Sequence, residues 1–245
     1  VTVEVPILDT VDGFLNVQDN DRLELLDFPS LYILGNYLRI KNSGDALVAN
    51  FDVLTSINNN LAVTDSDLDS FGLGVLESIS SGVTFSGHTG LLDLEFPNLQ
   101  TIGADFLLHS NSDLETVNLS SVIEIYGNVN IYNNVYLEDM DVTSLELIDG
   151  NTSIYSHPRL LDLVLTNLIT LNGSLSIYNN AVLEMIDIGN VNVIDGYLSI
   201  YGHSNLVDVW PDSVSQIAGN LTFRDNDLIS ALQMPLVSDI DGNVS

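Results

Sequence analysis

The composition of this 245-residue chain already limits its function. With 34 acidic and 5 basic residues the formal net charge is −29, so the cations are too few to bind nucleic-acid phosphates or an anionic membrane surface. A hydrophobic content of 45% excludes a disordered chain, and the absence of Cys excludes disulfides, thiol nucleophiles and zinc–cysteine sites. No apolar run approaches the ~20 residues that cross a bilayer, so membrane insertion is not expected.

The chain opens on an alternating segment, Val1-Thr2-Val3-Glu4-Val5, which is followed by a proline. Alternation of β-branched and polar residues predicts a lead-in strand within residues 1–10. No cap for this end is visible in the sequence, so we expect an open sheet edge. Because the chain begins with Val rather than Met, we expect a processed chain or part of a longer one.

From residue 11 onward the sequence repeats, with an apolar marker residue before each turn that contains Gly or Asn. Successive markers are 23 residues apart, except for one step of 22 between Ile57 and Ile79. A period of this length is typical of a solenoid, in which each unit buries its apolar face against its neighbours. We predict one repeat domain over 1–245, with ten coils over 11–240 and a truncated eleventh over 241–245. The markers are Val11, Leu34, Ile57, Ile79, Ile102, Ile125, Ile148, Leu171, Ile194, Ile217 and Ile240.

Each coil has the same internal order. A recurrent Gly two places after the marker predicts a turn with positive φ or a close backbone approach. An alternating segment follows, such as residues 198–201, and then a polar corner and an L-x-x-L-x-L segment. We predict two short strands per coil, stacked into parallel sheets, and little helix. At ~4.8 Å per stacked strand, ten coils give a rod of roughly 48 Å.

The repeated motif reads I/L-x-G-x-L-x-I-x-N-N-x-x-L-x-x-L, as in residues 171–177 and 194–200. It resembles the receptor L-domain, a leucine-rich-repeat relative of insulin- and growth-factor-receptor ectodomains, and fungal cell-wall proteins built from the same coils. The likeness covers about residues 11–244 and implies an all-β, right-handed parallel β-solenoid in an extracellular or cell-surface protein. Receptor L-domains carry cysteine-rich caps that this chain lacks, and no ligand-binding residue of that family can be matched here.

Two functions remain open. The first is a non-catalytic structural protein of the cell surface whose copies assemble head to tail through the uncapped ends, since a contact that does not close propagates into a filament. The alternative is an adhesion or ligand-binding module that recognises another surface protein or a glycan. The candidate assembly residues at the two ends are Val1, Val3, Val5, Ile240 and Val244.

The candidate binding face is a column of tyrosines that recurs in four successive coils at Tyr132, Tyr155, Tyr178 and Tyr201. Alternation places these side chains outside, opposite buried isoleucines. Exposed aromatic patches tend to be contact surfaces, which favours a platform for carbohydrate or for a partner. The other interpretation is cross-strand stacking that stabilises the sheet.

The corner column nine places after each marker contains three of the four histidines. One interpretation is a metal or catalytic array, and the other is a ladder of side chains bonded to neighbouring backbone. His157 and His203 are two coils apart, about 9.6 Å, which is too far for one metal whose His ligands lie about 2.0–2.1 Å away. The column reads Asn20, Ser43, Ser66, His88, Asn111, Asn134, His157, Asn180, His203 and Asn226.

Acidic corners are candidate calcium sites, because Ca²⁺ takes several oxygen ligands. Asx-turn chemistry explains the same residues without a metal, so we expect no cofactor, with calcium as the alternative. Stacked carboxylates such as Asp139 and Asp162 lie at polar positions where a solvated face is the ordinary explanation, and no serine elbow or phosphate loop is present, so catalysis is not expected. The candidate calcium ligands are Asp19, Asp21, Asp65, Asp67, Asp225 and Asp227.

Five N-x-S/T sequons are candidate glycosylation sites, although chance alone gives about as many in a chain rich in Asn, Ser and Thr. Three of them share one turn column, which we expect to be exposed. The sequons begin at Asn118, Asn151, Asn172, Asn220 and Asn243.

Overall fold

The computed structural model describes residues 1–245, and its regular elements are all β-strands. The predicted parallel β-solenoid is confirmed, with about ten turns spaced about 23 residues apart and no helix. The structure accordingly has no helix with the length and hydrophobicity needed to span a bilayer.

Each coil except the last contributes three strands, not the two predicted from the sequence, because the marker residues form a short strand of their own. We call the sheet of these eleven two-residue strands the marker sheet. Its strands are Thr10–Val11, Ile33–Leu34, Ser56–Ile57, Ser78–Ile79, Thr101–Ile102, Glu124–Ile125, Leu147–Ile148, Thr170–Leu171, Val193–Ile194, Gln216–Ile217 and Asp239–Ile240.

The alternating segments form a second sheet of ten strands, the long-strand sheet. Apolar residues of these strands point inward and their polar or aromatic neighbours point outward, as the alternation predicts. The strands are Leu15–Asn20, Leu38–Ser43, Leu61–Thr64, Val83–Ser86, Phe106–His109, Val129–Tyr132, Thr152–Tyr155, Leu175–Tyr178, Leu198–His203 and Leu221–Asn226.

The L-x-x-L-x-L segments form the back face, which is divided into three small sheets. The last coil adds no strand to this face. The first sheet contains Thr2–Glu4, Leu25–Asp27, Leu47–Asn50 and Leu68–Gly72; the second contains Asp93–Glu95, Thr116–Asn118 and Asp139–Asp141; the third contains Asp162–Val164, Met185–Asp187 and Asp208–Trp210.

The head strand belongs to the repeat and is not a separate lead-in. Thr2–Glu4 pairs in parallel with Leu25–Asp27, and Val3 is the partner of Leu26, one period later. The first marker strand, Thr10–Val11, then follows within the predicted lead-in. The repeat therefore extends back to the first residues of the chain.

One coil is shorter than the rest, and the back face accommodates the difference. The 22-residue step between Ile57 and Ile79 contains the strand Leu68–Gly72, whose register shifts between Leu68 and Ser70. A bulge absorbs a change of one residue in a parallel ladder and leaves the sheets on either side in register.

The corner after each long strand explains why Asn, Asp, Ser and Gly occur there. One residue at this corner has a left-handed backbone in every coil, for example Asn133 at φ 56° and Gly202 at φ 76°. Left-handed φ costs least for Gly, Asn and Asp, so the polar corner is a backbone requirement.

The glycines two places after the marker have a different role. A Cβ at Gly173 would lie 2.5 Å from the carbonyl oxygen of Gly150 in the preceding coil. Of the two reasons that the sequence left open, the structure selects close backbone approach for this glycine.

The interior is one continuous apolar core of 59 buried residues. The N-terminal coils contain stacked phenylalanines, with the ring centroids of Phe28 and Phe51 5.5 Å apart, and the later coils contain Leu, Ile and Val. Each coil buries this surface only against its neighbours, so the first and last coils leave one side of their apolar layer uncovered.

Candidate interaction surfaces

The head end exposes the cross-section of the core. A cleft of about 480 Å³ opens there, lined by apolar residues that include Val1, Val3 and Leu15. Val1 is 67% exposed and Val3 40% exposed, whereas Val5 is half-buried. The Val1 amine donates to the carbonyl oxygen of Arg22 over 2.9 Å, so the head strand is anchored while its outer edge stays open.

The tail end is also apolar and uncovered. Ile240 is half-buried against the core, and Val244 is 67% exposed although it forms a bridge to Leu221. Leu228 and Leu236 are exposed as well. The tail therefore presents apolar side chains and open strand edges, as the head does.

Three exposed residues at the ends escaped the sequence analysis: Ile7, Phe14 and Leu228. The sequence contains the information needed to find them. When the 23-residue period is extended through the first and last coils, it identifies the positions that face a missing neighbour. Phe14 stacks on Tyr37 with ring centroids 4.8 Å apart, and its other side has no ring of this chain against it.

The tyrosine ladder is a continuous stack on the outer face of the long-strand sheet. We define it as Tyr132, Tyr155, Tyr178 and Tyr201, whose successive centroids are 4.9, 4.4 and 5.0 Å apart and whose planes differ by at most 8°. His109 continues the stack at one end, 4.6 Å from Tyr132. The Arg224 guanidinium lies 4.7 Å from the Tyr201 ring centre at the other end.

This geometry restricts what the ladder can bind. The inner ring faces are covered by neighbouring rings, so the ladder offers a ligand its edges and hydroxyl groups and not the open faces on which sugars stack. Burial, and secondarily the neighbouring tyrosines, raise the pKa of Tyr178 to about 12, so its hydroxyl stays protonated and uncharged at neutral pH. Binding of a glycan or a partner here stays a prediction.

The corner column is a buried hydrogen-bond ladder, which confirms the structural interpretation of its amides. The backbone N–H of Asn111 donates to Asn134 Oδ1 one coil later over 3.1 Å. Asn134 Nδ2 donates in turn to the carbonyl oxygen of Leu108 over 3.2 Å. Each buried Asn thus satisfies two backbone groups that a turn would otherwise leave unpaired.

The histidines of this column occupy the same sites and are buried. Both ring nitrogens of His157 lie against backbone carbonyls, 3.2 Å from Asn134 O and 3.1 Å from Ile131 O, and His88 and His203 repeat the arrangement. Burial lowers the pKa of all three imidazoles, while the two carbonyls oppose that change. With both nitrogens engaged, none of the three is placed to bind a metal or act on a substrate.

The carboxylates of the acidic corners take part in local hydrogen bonds and an ion pair, and calcium binding there stays an untested alternative. No three His, Cys, Asp or Glu side chains come together in a geometry that could hold a metal ion. Asp67 instead accepts from the backbone N–H of Ala46 and from Thr89 Oγ1, and Asp19 accepts from Asn42 Nδ2. Asp225 is paired with Arg224. Asp21, Asp65 and Asp227 belong to the same three corners and complete no three-ligand group.

The sequon asparagines vary in accessibility. Asn151, Asn172, Asn220 and Asn243 are exposed, whereas Asn118 is half-buried. Asn118 Oδ1 accepts the backbone N–H of Ser120 over 3.0 Å in an Asx turn. Asn151 and Asn220 accept the backbone N–H one coil later through Oδ1. Their exposure agrees with the expectation for the shared turn column, while glycosylation itself stays a prediction.

The stacked carboxylates lie on the back face. Asp139 and Asp162 begin strands on either side of the break between two of its sheets. Glu138, one residue earlier, accepts from Arg159 over 3.1 Å, and the Arg159 guanidinium also covers the Tyr136 ring at 4.0 Å. These contacts are typical of a solvated face.

Comparison with known proteins finds no similar sequence or structure. The chain matches no protein-family model, no curated protein sequence and no solved structure.

Proposed function

We propose that the protein is a non-catalytic structural subunit whose copies stack end to end. The observation that carries the proposal is the pair of uncovered ends on a stack of coils that otherwise contact each other in one repeated way. In a parallel solenoid the upper side of each coil fits the lower side of the next, so the tail of one copy is complementary to the head of another.

In the proposed contact the two ends exclude water and make the interactions that join coils within the chain, which are strand pairing and apolar packing. Marker strands at the head and tail, Thr10–Val11 and Asp239–Ile240, each have one unpaired edge. Open parallel edges with apolar neighbours are templates for pairing with another chain. The apolar cleft at the head and the apolar tail would cover each other.

We also propose an extracellular or cell-surface location. It rests on the resemblance of the coil motif to receptor L-domains and fungal wall proteins, which would make the leucine-rich-repeat relation the finer description of this solenoid. An acidic, Cys-free rod held together by core stacks and amide ladders suits a structural role of this kind.

Sedimentation velocity of the purified chain at low and high salt tests the function. We expect polymers to grow with salt, because the net charge of −29 opposes association until it is screened. Val3→Asp, at the head, should abolish them. Val135→Asp is the matched control, since Val135 is 43% exposed on the side wall and Val3 40% at the end. A chain that stays monomeric at every salt concentration, or equal loss in both variants, would overturn the proposal.

A further inference from the structure

We infer the residue register of the joint between two copies, an inference that rests on the proposed function. In this register head residues 1–16 of one copy lie on tail residues 230–245 of the preceding copy, each on the residue whose number is 229 higher. Three separate observations support this offset. They concern the back face, the apolar columns and the turn column before the long-strand sheet.

The back face supplies the first observation. Residues 231–233 lie one period after the last back strand, Asp208–Trp210. Their central residue is apolar, like that of the strand, yet they form no strand. Ala231 and Gln233 are exposed and Leu232 is half-buried. A head strand with Val3 placed on Leu232 would give this segment the parallel partner that it lacks.

The apolar columns supply the second observation. At the offset of 229 the inward head residues up to Leu15 meet inward residues of the tail, and most of these residues are half-buried hydrophobics packed at the margin of the core. A shift of one residue in either direction would place most of these apolar side chains against polar ones. The pairs are Val3 on Leu232, Val5 on Met234, Leu8 on Val237, Val11 on Ile240 and Leu15 on Val244.

The turn column of amides supplies the third observation. Here a side-chain oxygen accepts the backbone N–H of the following coil, as when Asn151 donates to Asn128 Oδ1 over 2.9 Å and Asn243 to Asn220 Oδ1 over 2.8 Å. Asn243 is the last rung, and Phe14 holds the same column at the head. At the inferred offset the Phe14 N–H donates to Asn243 Oδ1 and continues the ladder across the joint.

The same register identifies the charged pair that opposes assembly. It stacks Asp12 on Asp241, about one strand spacing of ~4.8 Å apart. Within the chain the acids of this column, among them Asp149, Asp195 and Asp241, are separated by uncharged residues. The joint is therefore the one place in the column where two carboxylates adjoin, and Asp241→Asn should lower the salt concentration at which polymers form.

Cysteine cross-linking tests the register, and the absence of native Cys makes each introduced thiol unique. Thr2→Cys would be mixed with Ala231→Cys, and Glu4→Cys with Gln233→Cys, under mild oxidation in high salt. All four positions are exposed, and their folds would be checked by circular dichroism. Neighbouring parallel strands bring Cα atoms within the 4.4–6.8 Å range that a disulfide needs.

The matched controls are the crossed pairs, Thr2→Cys with Gln233→Cys and Glu4→Cys with Ala231→Cys, which are two residues out of register. We expect the in-register pairs to cross-link between copies at least about tenfold faster than the crossed pairs. Polymers with equal or reversed cross-linking rates would overturn the register and leave the proposed function standing. Absence of both polymers and selective cross-links would overturn the two together.

Discussion

The middle coils and the two end coils differ in how many sides of each layer are covered, although they share one sequence pattern. Ile177, in the middle, is fully buried, whereas Leu232 in the last coil is half-buried and belongs to no strand. The same amide column is buried at Asn134 and exposed at Asn20. A repeat residue therefore gains its full stability only when both neighbouring coils are present, and the ends have a surface to offer a partner.

The largest effect should come from the core of the middle coils. Ile177→Ala should lower the free energy of unfolding by about 2–5 kcal/mol, because it removes buried apolar volume and leaves a cavity. The equivalent change at the end, Leu232→Ala, should cost less than about 1.5 kcal/mol, since part of the side chain is already in water and no coil covers its outer side. Denaturant unfolding followed by circular dichroism measures both, and equal losses would contradict the distinction.

The amide ladder should give the next largest difference. Asn134→Ala leaves the buried N–H of Asn111 without its acceptor, which costs about 1–3 kcal/mol. Asn20→Ala, in the exposed rung, should stay within about 0.5 kcal/mol. Hydrogen exchange of the Asn111 amide is the local measurement, and unchanged protection in Asn134→Ala would show that this hydrogen bond contributes little.

The buried histidines should make stability fall on acidification. Burial lowers the pKa of His88, His157 and His203 below the ordinary imidazole value of 6.5, so the unfolded chain takes up protons that the folded chain resists. The stability they contribute is present above pH 6.5 and is lost as the pH falls from there through the lowered pKa of each imidazole. Replacing all three by Asn should flatten the wild-type pH profile in that window.

The control for the pH profile is built into the column. Asn already holds the neighbouring rungs, where Nδ2 donates to the carbonyl 26 residues earlier, so the Asn variant can keep one of the two carbonyl contacts of each His, and the titrating carboxylates are common to both proteins. If the wild-type and the triple Asn variant lose stability equally with acid, the two carbonyls around each imidazole fully offset the effect of burial on its pKa.

The tyrosine ladder should give the smallest change. Tyr178→Ala removes two stacking contacts, each worth about 0.2–1 kcal/mol. Tyr178→Phe keeps the stack and should be neutral in stability. In a spectrophotometric titration the Phe variant should lack the hydroxyl that has a pKa of about 12. A larger loss in the Phe variant than in the Ala variant would assign the stabilisation to the hydroxyl and not to the ring.

Most of the fold was predictable because each column is repeated about ten times, so a role that is ambiguous in one coil is clear in the set. The period predicted the sheets, the core rows and the stacked tyrosines. It could not predict the marker sheet, since two residues show no alternation. Extending the period backward aligns Val3 with Leu26, although the short β-prone segment of residues 1–5 on its own predicts only a separate strand.

The roles of polar residues were harder to predict, because they depend on distances that a sequence does not contain. His157 and Asn134 share a column, and only the positions of the surrounding carbonyls show that the imidazole is a ladder rung. Gly173 could serve a turn or a close approach until the neighbouring backbone was placed. The hydrogen-bond partners of the acidic corners could not be predicted for the same reason, since Asp67 and Asp19 occupy similar corners but are bonded to different partners.

Electron microscopy of the purified chain in about 1 M salt, where the Debye length is about 3 Å, tests end-to-end stacking most directly. With eleven marker strands per copy and ~4.8 Å per strand, the account predicts unbranched filaments with an axial repeat of about 53 Å. Single rods that never join, or side-by-side bundles without that repeat, would contradict it.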